Sequence, residues 1–585
     1  MELPKPVEIS PMLIDEARML KESNKANQNF FMDNGKYNIK NLGTVHTPRS
    51  LVRYILNSVG YSPEKFESER IIDLASGTGS FTFEIASILH NHLISLGYDS
   101  SDYEDAKKII EIMSNHIYAF DINSISILIT LKRYLSIILD EIELIRQYDP
   151  NYLPQLNVYE ENSLLSAYNL NLKFDYVVSN PPYVRYNEID NNVKKAYKRL
   201  YETSSGKFDL YSLFFELGIQ LLKNKGKLGY ITPNSYFSTL YAKPLRSLIL
   251  SKTKILKLFD LEEARPFSNV NVYPVITVLS KERVSFAQEN IFPYIKVNEV
   301  FNDINAEYKP TNFREISVAQ AGLGSNGWNF LPDSISSLRK NLSSTLPPIS
   351  SLPIEIKAGV ATGCDDIFVL KGDFLDIEDE LLIPLIRGKD IDRYSINWER
   401  TYLLNPYMEN GVPIDLEEYP LAKKYLIINR ERLSRRYHVK KGKKWYETHD
   451  RVNLKRDRKR RIVGPDIAYS CRFAVEEGTY LCHNSCYSFF YSGDLDIFVA
   501  VLNSKFFEFV LKSSLPKIGA GYWRQMKKNL INLPILNPET FDLNERKRIK
   551  HLIEKSEWEE IDEVIFNKIG LQEDEVNIIY DFLKK

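Results

Sequence analysis

The chain has 585 residues, with 76 Lys or Arg against 77 Asp or Glu and only 4 cysteines. This length exceeds what one core supports and implies two or three domains. The net charge of −1 excludes a general polycation, so any nucleic-acid affinity must come from a local patch. Four cysteines exclude a disulfide scaffold. With neither a basic-then-apolar leader nor an unbroken run of about 18 apolar residues, the expectation is a soluble, unsecreted, cytoplasmic protein without a membrane partner.

Residues 1–42 read as a helical extension. From about Thr47 to Lys281, strand-length apolar runs alternate with helical stretches. "RIIDLASGTGSF" reads as strand, glycine loop and helix start, and "HIYAFDIN", "FDYVVSN", "KLGYIT", "ILKLFDL" and "VYPVITVL" read as further short buried strands. Between them, "FTFEIASILHNHLISL", "ISILITLKRYLSIILDEIELI" and "DLYSLFFELGIQLL" have helical length and spacing. The alternation predicts an α/β fold: a doubly wound, mostly parallel, Rossmann-like sheet with helices on both faces. Its ligands bind beyond the carboxyl ends of the strands.

At those ends the chemistry concentrates. The loop Ala75-Ser76-Gly77-Thr78-Gly79 opens a helix directly after a strand. Its two glycines permit a tight turn and close approach of a ligand, the bland alternative being a plain βα turn. The next strand ends on Asp121, whose carboxylate can accept from both hydroxyls of a ribose. It lies 48 residues after Asp73, where about 20 is usual; a helix inserted at about 102–114 accounts for the excess. No GxxxxGK[ST] lysine follows the glycines, which points to a nucleoside ligand without phosphates. A later strand runs into Asn180-Pro181-Pro182-Tyr183. The two prolines remove N–H donors and hold the backbone extended. The segment is either a rigid turn or a pocket whose Asn180 amide and Pro181 carbonyl are held ready.

A second unit begins after "SKERVSFAQEN". The Ser/Pro-rich "SSTLPPISSLP" reads as a linker or a structured loop, and "GVATGCDDIFVL", with Gly359, Thr362 and Gly363, as a turn between strands. From Lys423 to Arg461, 17 Lys or Arg stand against 4 Asp or Glu, with Tyr437, Trp445 and Tyr446 interleaved. A solvated helix face is the ordinary fate of such charges. The one-sidedness and the aromatics instead predict a surface that neutralises phosphates and stacks on bases. Its candidates are Lys440, Lys441, Lys443, Lys444, Trp445, Arg458 and Arg460, with Tyr522 and Arg524 of "KIGAGYWRQMKKN" as a second group. Cys471, Cys482, His483 and Cys486 lack a clean CxxC pair, and "TYLCHNSCYSFFY" reads as a buried strand, so no metal site is expected. The charged stretch 545–585 reads as a helical cap.

The order of these motifs resembles the S-adenosylmethionine-dependent DNA adenine-N6 methyltransferases of the γ arrangement, the restriction-modification type with the Asn-Pro-Pro-Tyr signature. "LGTVHTPRSLV", with Gly43, Thr47 and Pro48, looks like the family's first motif, which contacts the methionine end of the cofactor ahead of the glycine loop. The resemblance makes Asp73, Ala75, Gly77 and Gly79 part of the S-adenosylmethionine site and Asp121 its ribose ligand. Asn162 of "EENSLL" stands where the family commonly has an Asp against the cofactor adenine. "GKFDLYSLFFE" resembles the fifth motif, with Lys207 and Asp209 as pocket candidates. "LLKNKGKLGYITPNSYF" resembles the sixth, and "ARPFSNVNVYPVITVL" the eighth, with Phe267 as aromatic partner of the target base.

The resemblance implies a catalytic domain over 43–300, a linker region over 301–350, a mixed α/β target-recognition domain over 351–544 and a helical segment over 545–585. Asn180, Pro181, Pro182, Tyr183 and Phe267 are its catalytic set. The amide oxygen of Asn180 and the carbonyl of Pro181 would take both hydrogens of a flipped adenine amine while the aromatics stack on the base. Double-stranded DNA is the expected partner. A separately encoded endonuclease acting on the same site is admitted, and a monomer is the simplest state for an asymmetric enzyme. The alternatives are methylation of RNA or of a protein glutamine, and a non-catalytic DNA-binding protein. About 40 residues precede the first motif, too few for a fused nuclease.

Overall fold

The structure, a computed structural model, describes residues 2–26, 46–267, 272–282, 290–302, 307–325, 327–372, 376–452, 454–515, 517–518 and 522–584. They fall into two compact units, Met1–Phe330 and Leu331–Lys585. Among the described residues no helix is long and apolar enough to cross a membrane.

The first unit holds one nine-stranded sheet. Its strands are β1 (Ile71–Asp73), β2 (Ile117–Asp121), β3 (Asn157–Glu160), β4 (Phe174–Ser179), β5 (Leu222–Pro233), β6 (Thr253–Asp260), β7 (Pro274–Lys281), β8 (Ile291–Val297) and β9 (Phe313–Ala319). They lie in the order β3-β2-β1-β4-β5-β7-β6-β8-β9. The five from β3 to β5 are parallel, with Ile71 opposite Ile117 on one side and Tyr176 on the other. β7 is antiparallel to both β5 and β6.

Successive side chains of a strand point to opposite faces, so a sheet covered on both sides reads as an unbroken apolar run. Ile71, Ile117, Ala119 and Val178 enter one core, and Ile72, Tyr118, Phe120 and Val177 enter the other. α1 (Pro11–Ala26), α2 (Arg49–Ser58), α3 (Ser80–Ser95), α4 (Tyr103–His116), α5 (Ser124–Ile137) and α6 (Leu139–Tyr148) cover the first face. α7 (Ser163–Ser166), α8 (Asn191–Leu200), α9 (Leu210–Leu221) and α10 (Lys243–Lys252) cover the second. α4 is the expected inserted helix, started by the Asp102 carboxylate, which accepts from Glu104 N and Asp105 N at 3.0 Å each.

Several elements differ from the sequence reading. The single helix expected across Ile125–Ile145 is broken into α5 and α6 at Ile138, whose φ of −101° and ψ of 23° leave the helical region. α1, from the N-terminal extension, buries Leu13, Ile14 and Ala17 in the first core and pairs Arg18 with Glu143 at 2.6 Å. Residues 301–350, read as a connecting region, contain β9 and a helix at Asp333–Thr345. β9 alternates exposed with half-buried residues and lacks the apolar run that marks the inner strands.

In the second unit, Ile354–Ala358, Cys486–Tyr491, Arg461–Pro465 and Ala474–Glu476 form an antiparallel four-stranded sheet in that order. The terminal helices Leu543–Lys555, Trp558–Ile569 and Glu573–Leu583 bury Ile549, Ile565 and Ile579 in one core with Phe498 and Phe509. Arg461 sits opposite Glu476 in the sheet, and the two side chains are 0% and 1% exposed. The guanidinium donates to Glu476, to Ser488 Oγ at 3.1 Å and to Tyr480 O at 2.8 Å. Glu476 Oε1 also accepts the N–H groups of Gly478, Thr479 and Tyr480. Glu476→Gln leaves this buried cation without its counter-charge, and urea titration should show a loss of about 3–5 kcal/mol in unfolding free energy.

Candidate active site

After β1 the chain turns through Ala75–Gly79 into α3. Ser76 N donates to Phe120 O, and Gly79 N to Ser76 O, both at 2.8 Å. Gly79 has φ +81°, and a Cβ there would lie 2.9 Å from Thr130 Oγ1 and 3.1 Å from the Thr130 backbone, so loop and α5 meet at a distance only glycine permits. Thr130 Oγ1 donates in turn to Gly77 O at 3.0 Å.

Asp121 closes β2 and accepts from Gly77 N at 2.8 Å and from Asn123 N at 2.9 Å. Burial raises its pKa, while those N–H dipoles pull it down. Asp73, at the end of β1, is 1% exposed. Its Oδ1 accepts from Ser179 Oγ at 2.7 Å and from Ala75 N at 3.2 Å. Its buried Oδ2 has no hydrogen-bond partner among the described residues, and burial pushes the carboxyl up to about 7. The Asp73–Ser179 bond joins the ends of β1 and β4, the pair at which the strand order reverses and where ligands of such sheets bind.

β4 leads into Asn180–Tyr183. Asn180 Nδ2 donates to Thr47 Oγ1 at 3.1 Å, which turns the amide oxygen away from Thr47. Thr47 is held in turn by the start of α2, where the Pro48 carbonyl accepts from Leu51 N and Val52 N at 3.1 Å. Tyr183 donates to Ile231 O at 3.4 Å, and burial raises its phenol pKa.

A cavity of about 210 Å³ gathers Thr47, Ala75, Gly77, Asp121, Asn162 and the whole of Asn180–Tyr183 on one wall system. Asp73, Pro48 and Gly79 are not on that wall. Asp73 ends β1 next to the wall residue Leu74, Gly79 caps α3 between the wall residues Thr78 and Ser80, and Pro48 caps α2. Phe267 is not on it either: it is 8% exposed and packs in the first core. Gly43 lies outside the described residues. Sequence reasoning missed Ile122, Leu210 and Phe214, all of which line the cavity. Ile122 is 70% exposed beside Asp121, a wall position that only the fold reveals. Leu210 and Phe214 are four apart on α9 and so share a face, the signal that was available. Asn162 Nδ2 donates to Tyr197 OH at 3.0 Å. Among the described residues, Asp121 and Glu161 line the cavity and no lysine or arginine does. That field favours a cationic, phosphate-free ligand, and the apolar wall accepts a flat ring.

In the second unit the basic run folds into the short helices Pro420–Ile428, Arg430–Ser434, Tyr437–Lys440 and Leu454–Asp457 and enters the strand Arg461–Pro465. His449 N donates to Thr362 O at 2.8 Å and Asp450 N to Ala361 O at 2.9 Å, stitching it to the Gly359–Gly363 turn. Its cations have different tasks. Arg436 spans four carbonyls, those of Leu433, Thr362, Trp445 and Glu447. Lys443 Nζ turns back onto Thr448 O and His449 O, at 3.1 and 2.7 Å. Trp445 packs on the core of this region, under Arg430 at 5.3 Å. Arg460 pairs with Glu477 at 3.0 Å and Asp496 at 3.1 Å, and Arg458 approaches Glu409 at 3.8 Å. Arg524 pairs with Asp466 at 3.1 Å, and Tyr522 is 46% exposed. Lys440, Lys441 and Lys444 are exposed, as is Tyr437.

Residues 115–267, which take in Asp121, Asn162 and Asn180–Tyr183, match the model of the Eco57I restriction-modification methylase. Residues 383–535, which contain the entire basic run, match the TaqI-like C-terminal specificity domain. A methylase domain followed by a specificity domain is the class that fold and site define. By these two matches the chain joins a restriction-modification methylase domain to a TaqI-like specificity domain. The Type II methyltransferase M.BstVI of Geobacillus stearothermophilus is 25% identical over 561 residues, 93% of this chain and 98% of that one. M.PaeR7I of Pseudomonas aeruginosa is 26% identical over 545 residues, 91% of this chain and 92% of that one. The Type IIL restriction-modification enzyme MmeI shares the fold with a TM-score of 0.59 at 13% identity, over 92% of this chain and 76% of that one.

Asp73 gives the site a pH signature. Its folded pKa lies above the unfolded value, so between about pH 4 and 7 the folded state binds the extra proton. Stability therefore falls as pH rises through that window, on the order of 1 kcal/mol per unit. Asp73→Asn should remove this slope, as measured by the difference between wild-type and variant urea curves across the window.

Proposed function

We propose that the protein transfers the methyl group of S-adenosylmethionine to the N6 amine of an adenine flipped out of duplex DNA at a specific sequence. The observation that carries this reading is the single cavity shared by the glycine loop, Asp121 and Asn180–Tyr183. The donor set suits the cofactor: Asp121 accepts from a ribose, Ile122, Leu210 and Phe214 flank a purine, and the wall carries carboxylates and no lysine or arginine among the described residues. When bound, the cofactor supplies an electrophilic methyl on a sulfonium.

The chain's own residues prepare the acceptor. The lone pair of an exocyclic adenine amine is delocalised into the ring. The Asn180 amide oxygen and the Pro181 carbonyl take its two hydrogens and favour a tetrahedral nitrogen. The prolines hold both acceptors, and Thr47 holds the Asn180 amide in its rotamer. Tyr183 stacks on the base and offsets part of the few kcal/mol that flipping costs. Phe267 is packed in the core, so the stacking assignment rests on Tyr183. The excess proton leaves to solvent, and no general base is assigned. Double-stranded DNA is contacted by Lys440, Lys441 and Lys444, which are exposed on the basic segment. A separately encoded endonuclease acting on the same site, a monomeric state and the cytoplasm complete the reading.

The purified protein, given mixed-sequence duplex DNA and methyl-labelled S-adenosylmethionine, should yield labelled N6-methyldeoxyadenosine after digestion to nucleosides. Label in RNA or protein, or none anywhere, overturns the reading. Asn180→Ala should lower the single-turnover rate by about 10²–10³, with cofactor and DNA affinity retained in equilibrium titrations. Charge reversal of Lys440, Lys441 and Lys444 should weaken DNA binding and flatten its dependence on salt, by about one unit of slope per lost phosphate contact.

A further inference from the structure

A second cavity, of about 230 Å³, opens beside the catalytic loop. Arg185 and Tyr186, which continue the chain from Tyr183, line it together with Lys207, Asp209, Tyr211 and Tyr241. The loops that build it are tied to the first site, because Leu210 N donates to Val184 O at 3.0 Å and Leu210 lines the first cavity. Gly206 has φ +65°, and a Cβ there would stand 2.5 Å from Tyr241 Cδ1, so the loop carries the tyrosine ring pressed against its backbone.

The lining has three kinds of recognition in one place. Asp209 is a half-buried carboxylate whose pKa is raised by burial and drawn down by Arg185. Tyr186 is an aromatic platform braced edge-on by Phe208 at 5.4 Å. Arg185 and Lys207 are the cations, and among the described residues neither is within salt-bridge distance of a carboxylate. Lys194 and Lys198 of α8 add charge, 4.6 and 5.3 Å from the Tyr186 ring. Base-edge donors, a π face and a phosphate are the three parts of a nucleotide that this set complements. Reach decides which nucleotide. Two residues span at most about 7 Å of chain, so Arg185 follows Tyr183 at the scale of one step along an extended strand.

We propose that this cavity is a second nucleotide subsite, which takes the nucleotide adjoining the target adenine on the same strand. Arg185 and Lys207 hold the phosphate between the two nucleotides, the adjoining base packs on Tyr186, and Asp209 accepts from its exocyclic amine. The subsite therefore favours a base that carries such an amine and disfavours thymine. This inference rests on the adenine-methylation reading above.

The test uses the full chain and duplexes that contain its mapped methylation site. One duplex is natural, and in the others the phosphate on either side of the target adenine is replaced by a neutral methylphosphonate. For the wild type, one of the two replacements should weaken equilibrium binding and lower the slope of log K against log salt by about 1. The same replacement should have no further effect on Arg185→Ala/Lys207→Ala. Equal losses in wild type and variant, or no loss in the wild type, overturn the phosphate assignment. Asp209→Asn keeps the shape of the carboxylate and should even out methylation rates among the four bases at the adjoining position. An unchanged preference overturns the base contact. Lys207→Gln serves in place of the double variant if that one does not fold, as judged by its thermal transition. Failure of wild-type protein to form N6-methyldeoxyadenosine removes the underlying reading and this one with it. Product formation with equal methylphosphonate losses removes only the subsite.

Discussion

The parallel register of β1 between β2 and β4 is the constraint on which the catalytic unit depends. It brings Asp73, Asp121 and Ser179 to one edge of the sheet, with Asp73 and Ser179 106 residues apart in the chain. A slip of one residue in any of these pairings would exchange the two apolar cores and turn the terminal side chains to the wrong face. The Asp73–Ser179 hydrogen bond closes the reversal point, and the glycine loop and the Asn180–Tyr183 segment leave from either side of it. Because both faces are buried, the register has a strong energetic preference, with each fully buried aliphatic side chain contributing about 1.5–3 kcal/mol.

Rigidity of the site comes from several weak fixings that act on different atoms of the same loops. Thr130 approaches Gly79 too closely for any side chain and also holds the Gly77 carbonyl. Gly77 in turn holds one oxygen of Asp121. Thr47 holds the Asn180 amide, and the two prolines need no partner because their φ is set covalently. A transferring enzyme gains from acceptors that are already oriented, since nothing then has to reorganise when charge develops.

The basic segment shows why charge counts overstate a binding surface. Of its cations, Arg461 is interred with Glu476, Arg436 spans four carbonyls, Lys443 folds back and Arg460 is ion-paired. These hold the segment in shape and leave Lys440, Lys441 and Lys444 exposed. An arginine suits the first task because its planar fork satisfies several acceptors at once, whereas an exposed lysine keeps a hydrated point charge for phosphate.

The alternating α/β pattern, the inserted helix before Asp121, the glycine loop and the Asn180–Tyr183 segment were legible in the sequence. Each is written in local terms: apolar period, capping residue, positive-φ glycine or fixed proline φ. The wall position of Ile122, the edge strand β9 and the core burial of Phe267 were not, because each depends on what lies across the sheet. An isoleucine after a strand reads as core until its neighbours are known, and a phenylalanine in an apolar motif reads the same whether it meets a base or a helix. The sequence by itself determined which groups can accept, bend or stack. Only the tertiary structure decided which of them share a cavity and which cations are already spent, since burial and pairing are properties of long-range contacts.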